Sequence, residues 1–183
     1  MTRGVSAESS RDEPQEEDVA HQEMLIAWLN DAYAMENSLI RTLEHRVNDL
    51  KDYPQMQARI QQHLEETRRH AELVKGCVER LGSSTSALKT GLSNVMGTVQ
   101  AVSTGMAKDE LVKNALADYA AEQFEVASYR ALIAGAQQLG DQETARVCEE
   151  ILREDEAMAL RVGQQLPLVV QETLQQAAAA HAG

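Results

Sequence analysis

Several acidic side chains occupy positions where an amphipathic helix would place apolar residues. Glu36, Glu122 and Glu154 each fall among apolar residues spaced three and four apart, and Glu66 lies on the flank of such a run. A carboxylate facing a core is costly because its charge loses its hydration, and four such groups would also repel one another. Two divalent cations would compensate them, since carboxylates on four helices together with histidine build two-metal sites in bundle cores.

Histidines accompany one of these acids. His70 follows Glu66 by four residues, so both share a helix face, and His63 precedes Glu66 by three. The alternative is that the acids are solvated or paired with arginine, and that His70 is a hydrogen-bonded core residue. The spacing predicts a site for two iron or manganese ions, with Glu36, Glu66, His70, Glu122 and Glu154 as main ligands and His63, Glu125 and Asp155 as secondary candidates.

Composition and periodicity favour an all-α fold of one domain. The 183 residues are 43% hydrophobic but only 3% aromatic, with 3 prolines and 10 glycines, too few for a β-sandwich or barrel. Helical spacing predicts long helices at about 21–49, 54–81 and 109–139, and a fourth from Asp141 that Pro167 either kinks or divides.

The remaining segments predict how the helices connect. Residues 82–108 are rich in glycine, serine and threonine and are expected to form a long crossover with one or two short helices. Two helix pairs joined by one crossover are typical of ferritin-like four-helix bundles. The expected organisation is a disordered acidic tail at 1–20, the bundle at 21–166, and a short helix with a frayed end at 167–183.

Charge and cysteine usage restrict the partners. With 17 basic and 29 acidic residues the net charge is −12, which repels phosphate backbones and attracts cations, so we expect no nucleic-acid binding. No apolar run is long enough for a membrane span, and the N-terminus lacks the apolar region of a secretory signal. Cys77 and Cys148 fit buried thiols in a reducing compartment. The prediction is a cytoplasmic protein without a membrane partner.

The third helix carries a second stripe, of small residues, on the side away from Glu122. A smooth apolar-to-neutral face of this kind is typical of an interface, so the sequence predicts a symmetric homodimer that uses the surface of this helix or of the crossover. The stripe consists of Ala117, Ala120, Ala121, Phe124, Ala127, Ser128 and Ala131.

Three strings of residues resemble a known family. They are Asp31-Ala-Tyr-Ala-Met-Glu36-Asn-Ser-Leu39, His63-Leu-Glu-Glu-Thr67 and Glu122-Gln-Phe-Glu-Val-Ala-Ser-Tyr129. The chain is similar, over about residues 22–165, to the uncharacterised bacterial ferritin-like proteins of the YciE/YciF stress-protein type. The resemblance implies a ferritin-like bundle, commonly a dimer, stress-induced in some members, with metal positions at Glu36, Glu66, Glu122 and Glu154.

The sequence departs from better-known ferritin-like enzymes, which carry Glu-x-x-His on two helices. Here Arg69 stands at that spacing after Glu66, with His70 one residue further, and Met158 takes the corresponding place after Glu154. The leading functional hypothesis is a metal-binding protein, either a dinuclear oxidase acting with oxygen or peroxide or a stress-related metal buffer. The alternative is a metal-free helical dimer that acts as a stress-related binding or scaffold protein.

Overall fold

The structure, a computed structural model, describes residues 16–49, 54–85 and 110–182. They form the helices α1 (Glu16–Asp49), α2 (Pro54–Arg80), α3 (Glu110–Gln138) and α4 (Gln142–Ala182). These three segments contain no strand, and none of their helices has the length and apolarity to cross a membrane. The predicted all-α four-helix fold is confirmed. The predicted crossover lies outside the described residues from position 86 onward.

Contacts at two separate points along α1 show how it lies against α3. Arg46, near the end of α1, pairs with Asp118, near the start of α3. Trp28, in the first half of α1, covers Gly135 near the end of α3, where an added Cβ would stand 3.1 Å from the indole ring. α1 and α3 are therefore antiparallel.

α2 and α4 are antiparallel as well. Arg80, the last residue of α2, bonds Asp141 immediately before α4, and Arg69, three turns earlier, pairs with Glu154 further along α4. A tight turn also reverses the chain between α3 and α4, with Gly140 in the left-handed region at φ 71°. α2 and α3 consequently run in the same direction. Two consecutive parallel helices need a long connection, which is the crossover of ferritin-like bundles.

The core has two apolar clusters along the bundle axis. α1 and α2 form the smaller one, from Leu39, Leu43 and Leu64. The larger one draws on all four helices and includes Leu29, Val74, Tyr129, Leu132, Ala136, Cys148 and Ile151. Glu36 comes between Met35 of the larger cluster and Leu39 of the smaller one, so α1 inserts a buried acid between two apolar layers.

Helix bounds differ from the expected ones at both ends of the chain. α1 begins at Glu16, so residues 16–20, assigned to the tail, are helical; acidic residues in the first turn favour this start through the helix dipole. The rest of the predicted tail, residues 1–15, lies outside the described residues. Pro167 lies inside α4 and neither divides nor ends it, although it removes one ladder hydrogen bond from the helix.

The small-residue stripe of α3 is divided between the interior and the surface. Ala117 and Ala121 are buried, and Phe124 packs partly against the larger cluster. Ala127 and Ala131 remain exposed. The interface face predicted from this stripe is therefore wrong in part, because α3 is apolar on more than one side and its neighbours α1 and α4 cover some of it. The homodimer stays a prediction.

The start of α4 gives a test of this architecture. Asp141 Oδ1 accepts from the Thr144 N–H at 3.1 Å, and its other oxygen lies 2.6 Å from Arg80 Nη2. We expect Asp141→Ala to lower the free energy of unfolding by about 1–2 kcal/mol, because it removes both a helix cap and the link to α2. Asp141→Asn keeps a capping oxygen without the charge and should lose about half as much. Urea unfolding followed by circular dichroism measures the free energy of unfolding of both variants. No loss in Asp141→Asn would show that the ion pair between Asp141 and Arg80 does not contribute to stability.

Candidate metal centre

Four acidic side chains from three helices meet in the bundle core. Glu36 comes from α1, Glu122 and Glu125 from α3, and Asp155 from α4, and all four are buried. In each, one carboxylate oxygen is buried and has no hydrogen-bond partner among the described residues. We call these four residues the acid cluster. Buried, unpartnered oxygens of this kind cost free energy unless protons or cations compensate them.

A tyrosine and a histidine meet two of these acids. The hydroxyl of Tyr129, which is fully buried, donates to Glu36 Oε1. His63 Nε2 from α2 lies 3.1 Å from Glu122 Oε1 on α3, a contact that crosses the bundle between helices running in the same direction. Side chains of all four helices therefore converge at one level of the core.

His70 lies between the acid cluster and the surface. Its Nδ1 is 3.6 Å from Asp155 Oδ1 and 3.9 Å from Glu36 Oε1, and its Nε2 is 2.9 Å from Glu154 Oε2. Burial lowers the pKa of His70, although its hydrogen bond to Glu154 acts in the opposite direction. The ring is therefore neutral at neutral pH, as a metal ligand must be.

Two of the main predicted ligands lie at the rim of this site rather than inside it. Glu66 is half-buried and accepts from Gln62 at 2.9 Å. Glu154 has 37% of its side chain exposed and pairs with Arg69 as well as with His70. Burial would raise the pKa of Glu154, but the hydrogen bonds from these two partners outweigh it and the pKa is lowered. Glu154 is thus ionised at neutral pH.

The secondary candidates Glu125 and Asp155 are the ones that complete the acid cluster. On α4 the buried stripe runs through Ile151, Asp155 and Ala159 at intervals of four. Spacings of three and four both keep side chains on one face, so the run Ile151, Glu154 and Met158 was an equally regular stripe. Because Ala159 is buried and Met158 only partly so, the structure places Asp155 rather than Glu154 on the core side of α4.

The comparisons with known proteins agree with this architecture. Residues 20–178 match the family described as Domain of unknown function (DUF892). The chain belongs to this family. A solved protein from Xanthomonas campestris pv. campestris is 33% identical, with a TM-score of 0.70 over 87% of this chain and 99% of that one.

More distant solved structures show the fold. The Escherichia coli stress protein YciF is 22% identical, with a TM-score of 0.69 over 82% of this chain and 97% of its own. A Desulfovibrio desulfuricans bacterioferritin, a protein with a diiron site, is 22% identical, with a TM-score of 0.67 over 84% of each chain. The resemblance to YciE/YciF-type proteins and the ferritin-like fold are confirmed.

In this DUF892 chain three members of the acid cluster, Glu36, Glu125 and Asp155, favour the protonated form. Burial raises the pKa of Glu36 to about 8, with Tyr129 opposing and Glu122 adding to the shift. Burial, followed by the charges of Glu36 and Glu122, raises the pKa of Asp155 to about 9. The pKa of Glu125 is raised well above its usual value by the same causes. At neutral pH the metal-free cluster therefore holds protons, which a bound cation would displace.

The residue types present fit such a cation. Iron and manganese accept carboxylate oxygen and imidazole nitrogen as ligands. Each acid of the cluster supplies one oxygen that has no hydrogen-bond partner among the described residues. As the side chains stand, no group of three or more His, Cys, Asp and Glu residues within the described segments is arranged to hold an ion. The donor atoms lie at one level of the core, and the side chains would have to adjust their positions to coordinate a cation.

The raised pKa values predict how stability depends on pH. The folded chain keeps the Asp155 proton up to about pH 9, whereas the unfolded chain loses it near 3.8, so stability falls as pH rises between these values. Chelator-treated wild-type protein should lose stability between pH 5 and pH 8, by at most about 1.4 kcal/mol per pH unit for each such group.

Asp155→Asn should flatten this decline. The free energy of unfolding lost between pH 5 and pH 8 should therefore be smaller in the variant than in wild type. Glu156→Gln, the neighbouring exposed position on α4, is the matched control and should leave the slope unchanged. Urea midpoints across the pH range measure the effect. Parallel curves for wild type and Asp155→Asn would show that the buried carboxyl is not protonated in the folded state.

Proposed function

We propose that this chain is a ferritin-like metal-binding protein whose acid cluster takes two divalent cations, iron or manganese. The observation that carries the proposal is the set of four buried carboxylates, each with an unpartnered oxygen, beside two histidines at one level of the core. A stable fold does not need such a layer, since apolar residues of similar volume would avoid its desolvation cost.

The ligands would come from all four helices. The inner set comprises Glu36, Glu122, Glu125 and Asp155 with His63 and His70. Glu66 and Glu154, proposed from the sequence as ligands, stand at the solvent boundary, where they supply negative charge to an approaching cation. Bound iron would supply redox chemistry with oxygen or peroxide, and bound manganese or iron could equally be held and released as in a metal buffer.

The surroundings of the acid cluster suit metal binding. The two apolar clusters lie on either side of it along the bundle axis and keep water away, which strengthens the attraction between carboxylates and a cation. Tyr129 donates to one oxygen of Glu36 and leaves the other without a partner, so the acid is oriented before any cation arrives. The description of the Escherichia coli relative as a stress protein supports a stress-related setting.

Metal titration of chelator-stripped protein tests the proposal. Excess Fe(II) without oxygen, or Mn(II), should raise the melting temperature, because a ligand at 100 times its Kd adds about 2.7 kcal/mol of stability. Glu36→Gln and Glu122→Gln should abolish most of this rise. Glu65→Gln, at an exposed position on α2, makes the same Glu-to-Gln replacement outside the acid cluster and should respond as wild type does. Elemental analysis should find two ions per wild-type chain.

Equal responses of wild type and Glu36→Gln to metal would mean that the acid cluster is not the site. Failure of wild type to bind either metal would favour the alternative function, a metal-free helical protein with a binding or scaffold role. In that case the raised pKa values alone would account for how the cluster tolerates burial.

A further inference from the structure

The two ring nitrogens of His70 face different surroundings. Nε2 meets Glu154 Oε2 at hydrogen-bond distance, 2.9 Å, on the side of the surface. Nδ1 faces Asp155 Oδ1 and Glu36 Oε1 at 3.6 and 3.9 Å, both longer than a hydrogen bond. The ring thus connects the acid cluster with the rim.

Glu154 determines which nitrogen carries the hydrogen. Its carboxylate is held by Arg69, which bonds the same oxygen, Oε2, that His70 meets. An ionised carboxylate only accepts hydrogen bonds, so His70 Nε2 must be the donor. A neutral imidazole has one N–H, and Nδ1 is left with a lone pair directed toward the acid cluster.

We propose that Glu154 is a positioning residue that holds His70 in the Nε2–H tautomer, so that Nδ1 is presented to a cation in the acid cluster. This inference rests on the proposed function. It makes Glu154 a hydrogen-bond partner of His70 that does not itself contact the cation. Carboxylates that accept the free N–H of a metal-binding histidine fix its ring and strengthen its basicity.

The contacts of Arg69 explain why Glu154 stays at the rim. Arg69 Nη1 lies 2.8 Å from Glu150 Oε1, so the guanidinium is anchored to two acids one turn apart on α4. Glu154 therefore has donors on its surface side as well as His70 on its inner side. Asp155, the next residue, points into the core and supplies the oxygen that a cation there would use.

Glu150 offers a matched control. It is exposed to the same extent as Glu154, 36% against 37% for the side chain, carries the same charge and accepts from the same arginine. Glu150 pairs with Arg69 and Arg146, whereas His70 meets Glu154. Comparing Glu154→Ala with Glu150→Ala therefore separates the contact to His70 from loss of surface charge and loss of an Arg69 partner.

The first measurement needs no metal. In chelator-treated protein labelled with 15N-histidine, the ring nitrogen shifts should show His70 protonated on Nε2, with its signals identified by their loss in His70→Gln. Glu154→Ala should shift His70 toward a mixture of tautomers, whereas Glu150→Ala should keep the wild-type signals. A wild-type ring protonated on Nδ1, or identical signals in both alanine variants, would overturn the inference.

The second measurement is Mn(II) affinity by equilibrium dialysis. Glu154→Ala should weaken binding at least tenfold more than Glu150→Ala does, and Glu154→Gln, which retains an acceptor oxygen, should fall between Glu154→Ala and wild type. If wild type binds Mn(II) and the two alanine variants lose affinity equally, the inference about Glu154 is wrong but the proposed function stands. A wild-type protein that binds no metal would overturn the proposed function and this inference with it.

Discussion

Burial of four carboxylates at one level of the core is the constraint on which the rest of the structure depends. Glu36, Glu122, Glu125 and Asp155 have lost most of their hydration, and each retains an oxygen without a hydrogen-bond partner in the described residues. Such a layer persists only if protons or cations neutralise it. The raised pKa values show how protons would neutralise the layer. The carboxylate oxygens and imidazole nitrogens are the ligand types with which a cation would do so, and both follow from one arrangement of side chains.

The bundle around the layer is what brings the acids together. Antiparallel packing of α1 on α3 and of α2 on α4 fixes the level of each residue, and contacts near the ends, such as Arg80 with Asp141, hold that register. The apolar clusters on both sides supply the hydrophobic stabilisation that offsets the cost of the polar layer. A shift of one helix by a turn would move its acid into an apolar layer, where no cation could compensate it.

The sequence was sufficient for the fold and for part of the candidate site. Glu36 interrupts a regular apolar stripe of α1, and its burial was predictable because that helix face was clear. Glu122 was predicted only from its spacing to Tyr119 and Val126. α4 offered two stripes of similar regularity, and the choice between Glu154 and Asp155 depended on Arg69, a residue of α2 that holds Glu154 at the rim. α3 is rich in alanine on several sides, so its pattern could not show which face its neighbours cover. Periodicity describes one helix at a time, whereas the face that is buried on α3 and α4 depends on contacts with the neighbouring helices.

The pair Glu154 and Asp155 shows how neighbours on one helix acquire opposite properties. About 100° of rotation separates them, which is enough to place one beside Arg69 at the rim and the other in the core. Hydrogen bonds from two donors lower the pKa of Glu154, whereas burial raises that of Asp155 to about 9. His70 contacts both, one with each ring nitrogen. The ion pairs that Arg69 forms at the surface are thereby connected to the buried layer through a single imidazole ring, and a change in the charge of that layer must alter the hydrogen bond that Glu154 accepts.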